Sequence, residues 1–200
     1  MSRVLEQLAR DVGVSERTLR RAVTGGLIRA WRPSSRRLFV PDPEAAWVRS
    51  HWSLVSRLLA TLRTEPNLKL VVLFGSVARG DDVAGVSDVD LMVELGRPYP
   101  GALEALRRRL NERVDPEVEV QLVPLRVARR DPRLLAEILR DGRPLVDRSR
   151  LWPALQTQAE QTQAQADSTG REIHAGARAA VGYFQRLAAA RAQSPAGGAR

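Results

Sequence analysis

The residues best suited to chemistry lie in one short span, GSVARGDDVAGVSDVDL, from Gly75 to Leu91. Asp88 and Asp90 are two apart, so on a strand both carboxylates project from one face, close enough to chelate shared cations. Like charges at that spacing oppose each other unless something positive lies between them. Mg²⁺ is the natural candidate, because it prefers carboxylate oxygens supplemented by substrate phosphate. Gly75 and Ser76 follow directly on an apolar run, where a glycine lets backbone amides approach a phosphate and a serine adds its hydroxyl as a short helix begins. The chain has no cysteine and only two histidines, His51 and His174, which excludes a thiolate zinc site and a histidine cluster. Any metal is therefore held by oxygen.

Two strands must position this span. LKLVVLF is a short, continuous apolar run rich in valine and leucine, the pattern of a strand buried on both faces and ending at Phe74. DVDLMVEL supplies the second. A third strand is predicted in PEVEVQLVPL, where Glu117, Glu119 and Gln121 alternate onto one face. Further on, RDPRLLAEILRDGRPLVDRS predicts a helix from about Asp131 to Arg140, then Asp141-Gly142 and an apolar Pro144, Leu145 and Val146 that pack.

The composite G-S-x-A-R-G followed by S-D-x-D-L resembles the signature of the DNA polymerase beta nucleotidyltransferase superfamily, and within it the minimal nucleotidyltransferase (MNT) proteins often found beside HEPN proteins. The resemblance covers about residues 66 to 148. It implies that Gly75 and Ser76 hold a triphosphate, that Asp88 and Asp90 bind Mg²⁺, two ions in all, and that Arg79 either meets phosphate or fixes the loop. ATP or another nucleoside triphosphate is the implied substrate, attacked in line at its α phosphate by a hydroxyl with release of pyrophosphate. Members of the superfamily supply a third carboxylate from a later strand. This chain offers Glu119 or, two residues later, Gln121. Glu119 keeps the carboxylate, the apolar alternation and the strand-ending proline together; with Gln121 in that place the site lacks its base, since an amide neither accepts a proton usefully nor anchors a cation as a carboxylate does.

The net charge of +9 is distributed unevenly. Residues 1–65 hold 12 arginines against 6 acids, nine of those arginines falling between Arg3 and Arg37, whereas residues 66–149 hold 14 basic and 14 acidic side chains. The first third has the balance of a polyanion-binding segment and the middle does not. In VLEQLARDVGVSERTLRRAVTGGLI, Leu5, Leu8 and Ala9 have helical spacing, Gly13 permits a turn, and Ser15 caps a second helix that buries Leu19 and Val23 until Gly25 and Gly26 end it. The pattern resembles a helix-turn-helix whose second helix enters the major groove of operator DNA, with Arg17, Thr18, Arg20 and Arg21 outward. LIRAWRPSSRRLFVP then predicts a two-stranded wing, Ile28–Trp31 and Arg37–Val40 around a Pro-Ser-Ser turn, with Arg32, Arg36 and Arg37 at its tip for phosphate or a minor groove.

The expected organisation is α/β (α+β): a winged helix-turn-helix over 1–41, a linker helix over 42–65, a polymerase-beta-like nucleotidyltransferase domain with a small mixed sheet over 66–148, a C-terminal helical extension over 149–190, and a disordered tail over 191–200. The linker helix begins near Pro43 and carries Trp47, Trp52, Val55, Leu58, Leu59 and Leu62 on one stripe, with His51 read as a packing residue. No apolar stretch is long enough to span a bilayer, and a cytoplasmic protein without a membrane partner is expected. No R-x4–6-H pair of the HEPN ribonuclease kind lies near His174, so the C-terminal segment is expected to dock a partner or a second copy. By resemblance the function is an adenylyltransferase coupled to DNA binding, acting as an antitoxin on a HEPN-like toxin or another protein acceptor and working as a homodimer. The alternatives are a catalytically silent transcription regulator and a small-molecule adenylyltransferase of the aminoglycoside-modifying kind, which the basic first third disfavours because a cationic drug wants an acidic cleft.

Overall fold

A computed structural model describes residues 2–32, 37–83, 87–114 and 118–159. The chain opens with strand β1 (Ser2–Val4) and helices α1 (Leu5–Asp11) and α2 (Glu16–Thr24). Gly13 takes the left-handed conformation (φ 71°) that the tight turn between the helices requires. Ser15 caps α2 as expected, its side chain accepting from the Thr18 amide at 3.2 Å. The chain leaves α2 through Gly25 and a left-handed Gly26 (φ 81°).

The wing differs from expectation. Strand β2 (Phe39–Pro41) pairs antiparallel with β1, and its link to the Ile28–Trp31 segment is a single bridge in which Trp31 and Phe39 exchange two backbone hydrogen bonds of 3.0 Å. The reason lies in the backbone amides. That of Ile28 donates to the Ala22 carbonyl at 3.3 Å and that of Arg29 to the Glu44 carboxylate at 3.0 Å, so neither is left for a strand partner. The Pro-Ser-Ser turn, and Arg36 with it, lies outside the described residues.

Helix α3 (Asp42–Arg63) follows with Pro43 in its first turn, where a missing amide hydrogen costs nothing. Next come strand β3 (Leu68–Phe74), the one-turn helix α4 (Gly75–Arg79), strand β4 (Val89–Leu95), helix α5 (Ala102–Arg113) and strand β5 (Val120–Pro124). Helices α6 (Leu125–Ala128) and α7 (Pro132–Asp141), strand β6 (Arg143–Asp147) and helix α8 (Leu151–Thr157) complete the described chain. Asp131 caps α7 by accepting from the Arg133 and Leu134 amides.

The main sheet has the order β5-β4-β3-β6; β3 runs antiparallel to both neighbours and β4 parallel to β5. Both faces of β3 are covered, which explains its unbroken apolar run. Val71 and Leu73 join Val55, Leu58, Leu62, Leu106 and Leu110 on one side, while Leu70, Val72, Phe74 and Met92 meet Leu135, Ile138 and Trp152 on the other. The first of these clusters also contains Leu5, Leu8 and Leu19, so the N-terminal helices, α3 and the sheet share one core. No helix among the described residues is long and apolar enough to cross a membrane. Residues 160–200 lie outside the described residues, and with them most of the C-terminal helical extension, His174 and the tail.

Candidate active site

The antiparallel register of β3 and β4 places Asp90 directly opposite Phe74, the residue before Gly75. Gly75 is left-handed (φ 75°), and a Cβ there would collide with the Asp90 carboxylate. The glycine is thus required twice, by its backbone and by the acid that lies against it. Ser76 follows it in the first turn of α4. Asp88, exposed and immediately before β4, alternates with the fully buried Val89, so it lies on the Asp90 face of the strand. The structure therefore sets Asp90 against the Gly-Ser turn, with Asp88 next on the same strand face, although the turn and the aspartates are well apart in sequence.

Electrostatics mark the same place. The Asp90 carboxyl is half-buried and held above the usual carboxylate range, first by burial, then by the negative charges of Asp88 and Glu137; Arg79 acts in the opposite direction. A divalent cation between Asp88 and Asp90 would relieve both the repulsion and the desolvation, so these residues fit the metal that the motif implies.

Glu119 stands just before β5, exposed, and its backbone carbonyl accepts from the Val89 amide at 2.8 Å. Its carboxylate accepts from Gln121 Nε2 at 2.8 Å. In the parallel register the residue beside Asp90 is Gln121, and Glu119 lies one pleat further along the same face. Among the described residues no group of three or more His, Asp or Glu side chains is gathered closely enough to hold a metal ion, so Glu119 does not close onto the Asp88–Asp90 pair. Glu117 lies outside the described residues.

Arg79 is engaged by acids. Its Nε donates to Asp81 at 3.1 Å and another guanidinium nitrogen to Glu137 at 2.8 Å, which ties α4 to α7 and holds the loop beyond it. Glu137 is a site neighbour that sequence reading missed; nothing local links a residue of α7 to one nearly sixty positions earlier, and its only signal is to be the polar position between buried Ala136 and Ile138. His51, expected to pack, does so by stacking on Trp47, and its ring nitrogens meet the Trp47 carbonyl at 2.9 Å and Asp82 at 2.8 Å. It thereby fastens the start of the loop leading to Asp88.

On α2, Arg17 and Arg21 are exposed and one helical turn apart, which puts them on one face. Arg20 is paired with Glu16, and the Thr18 hydroxyl bonds with that of Ser15 at 2.8 Å. Arg32 and Arg37 are exposed.

Residues 57–151 match the family described as polymerase beta, nucleotidyltransferase. The mixed four-stranded sheet with its flanking helices accords with that fold. Among solved structures, the chain is similar to a toxin–antitoxin with AMP-PNP (22% identity over 66% of this chain and 98% of the other, TM-score 0.41). It is also similar to a tri-AMPylated Shewanella oneidensis HEPN toxin in complex with MNT antitoxin (21% identity, 68% and 98%, TM-score 0.40). A third is the toxin–antitoxin MntA–HepT (22% identity, 66% and 97%, TM-score 0.38). A comparison with curated proteins found no match.

Proposed function

We propose that this chain, whose residues 57–151 match the polymerase beta, nucleotidyltransferase family, transfers a nucleoside monophosphate, AMP from ATP, to a hydroxyl of a protein acceptor. The observation that carries this is the contact between Gly75 and Asp90: the phosphate-type turn and the aspartate pair meet at one point. Asp88 and Asp90 would hold the metal. Bound Mg²⁺, as two ions, supplies neutralisation of the triphosphate and of the charge that develops on the attacking and leaving oxygens. The chain's own residues do the rest. Gly75 leaves the backbone open to a phosphate, and the Ser76 amide and hydroxyl at the start of α4 would bind it. Arg79, held by Asp81 and Glu137, keeps the loop to Asp88 in place rather than reaching for phosphate. The acceptor hydroxyl forms the new bond to the α phosphorus, the bond to the β phosphate breaks, and pyrophosphate leaves with the electron pair. The hydroxyl proton would pass to Glu119, whose Oε1 accepts from Gln121 and whose other oxygen can take a proton, once that side chain swings toward the aspartate pair.

The motif's resemblance to MNT proteins supports a HEPN-like toxin as acceptor and an antitoxin role. The basic N-terminal helix pair supports operator binding as a homodimer, since a single helix-turn-helix grips DNA weakly. One observation favours a second reading. Gln121, an amide, is the strand neighbour of Asp90, which is what a regulator that senses nucleotide without transferring it would carry.

The two readings part in one assay. With Mg²⁺ and ATP labelled at the α phosphate, together with the protein encoded beside it, label is expected on that partner with pyrophosphate released, and Asp88→Ala is expected to abolish it. Absence of label from every acceptor with the wild type would favour the silent regulator.

A further inference from the structure

Helix α4 has five residues, too few to be stable alone, so its place must be set from outside. Its own turn satisfies the Ser76 carbonyl, which accepts from the Gly80 amide at 2.8 Å. The next two carbonyls are taken by buried side chains from elsewhere. Trp47 Nε1 of α3 donates to Val77 O at 2.7 Å, and Arg143 Nε of β6 donates to Ala78 O at 2.7 Å. The same guanidinium donates to Leu27 O at 3.1 Å, grips both oxygens of Glu44 on α3, and lies 3.6 Å over the Trp47 ring. Arg143 is 3% exposed and Glu44 7%, and no step of the transfer uses either. Glu44 in turn accepts from the Arg29 amide, just beyond α2.

A buried ion pair is a poor source of stability, because desolvation offsets most of the attraction, and apolar residues of the same volume serve a core as well. A planar guanidinium with fixed donors does specify geometry, and a cation at the C-terminal end of a helix opposes its dipole favourably. We propose that Arg143, with Trp47, is a positioning residue of the nucleotide site: it locks α4 from behind, which fixes Gly75 and Ser76 against Asp90, and it does so against the segment leaving α2, so that the N-terminal helices and the nucleotide-binding turn move as one body. The consequence for nucleotide binding rests on the reading of Gly75 to Asp90 as that site.

The test uses the full chain with two variants. Arg143→Lys keeps the cation but has no fork to serve Ala78, Leu27 and Glu44 together. Glu44→Gln weakens the ion pair and leaves the bond to Ala78, so it controls for a general loss of stability. Amide hydrogen exchange over residues 75–80 in Arg143→Lys is expected to speed up by about tenfold, with residues 68–74 still protected. Affinity for a Mg²⁺-loaded non-hydrolysable ATP analogue, by calorimetry, is expected to fall by about tenfold in the same variant, the scale of one lost charge-assisted bond. In Glu44→Gln both readouts should stay within about twofold of wild type while its melting temperature drops. Unchanged exchange over 75–80 in Arg143→Lys, or loosening of the two variants in proportion to their lost stability, would overturn the assignment. If Arg143→Lys does not fold, Trp47→Phe decides the matter by the same readouts, since it removes the bond to Val77 and leaves an aromatic ring under the guanidinium. A wild type that binds no analogue refutes the nucleotide reading alone, and the exchange data still decide whether Arg143 holds α4.

Discussion

Asp90 is the residue on which the site turns, and its environment makes a signed prediction. Its folded-state carboxyl titrates above the ordinary value because burial and the charges of Asp88 and Glu137 disfavour the anion. An acid raised in this way costs the fold stability once ionised. The cost is absent below the unfolded-state pKa of about 4 and grows as pH rises through the folded value. With chelator present, Asp90→Asn should therefore melt at a higher temperature than wild type at pH 7, with the gap closing near pH 4. Added Mg²⁺ should reverse the order by stabilising the wild type alone. Thermal melts across that range, with and without the ion, check both signs. Gly75→Ala forces a side chain into a left-handed backbone and onto Asp90, and should cost about 1–3 kcal/mol in urea unfolding and abolish nucleotide binding. At this scale the sequence was informative where the chemistry is local. Asp88, Asp90, Gly75 and Ser76 announce themselves by type and spacing, whereas Glu137 and Arg143 act across the fold on elements far from them in the chain, and no short pattern encodes that.

Elements were legible in proportion to how simply they are buried. Strands β3 and β4 and helix α7 follow directly from apolar runs and period because each meets a full layer of core. The expected strand Ile28–Trp31 is reduced to its bridge at Trp31 because the Ile28 and Arg29 amides are taken by Ala22 and Glu44, and β1, on the opposite edge of β2, has three residues and is too short to show a pattern. Helix α5 did carry a signal, Ala102, Leu106 and Leu110 at successive turns, with Val114 continuing the stripe past its end. Its weight in the fold is testable: Leu110 is fully buried against α3 and the sheet, and Leu110→Ala should cost about 2–5 kcal/mol by denaturant unfolding.

At the scale of the whole molecule, the division of charge read from sequence has a structural counterpart, since the exposed arginines of α2 sit on a module whose core is continuous with the neutral sheet. What the sequence could not reveal is that continuity, because it arises from α3 packing on both sides at once and from one buried guanidinium tying α4 to the chain after α2. If α2 reads DNA, Arg17→Ala combined with Arg21→Ala should weaken binding and lower the slope of log affinity against log salt by about two, as two phosphate contacts are lost. Arg20→Ala should do less, since Glu16 already engages that side chain. Anisotropy titrations over a salt series measure both. The central claim is that Gly75, Ser76, Asp88 and Asp90 form one metal-dependent triphosphate seat, and calorimetric titration of a non-hydrolysable ATP analogue tests it most directly. Binding to the wild type that requires Mg²⁺ and is lost in folded Asp88→Asn and Asp90→Asn is the predicted result; equal binding in all three proteins, or binding indifferent to Mg²⁺, would contradict it.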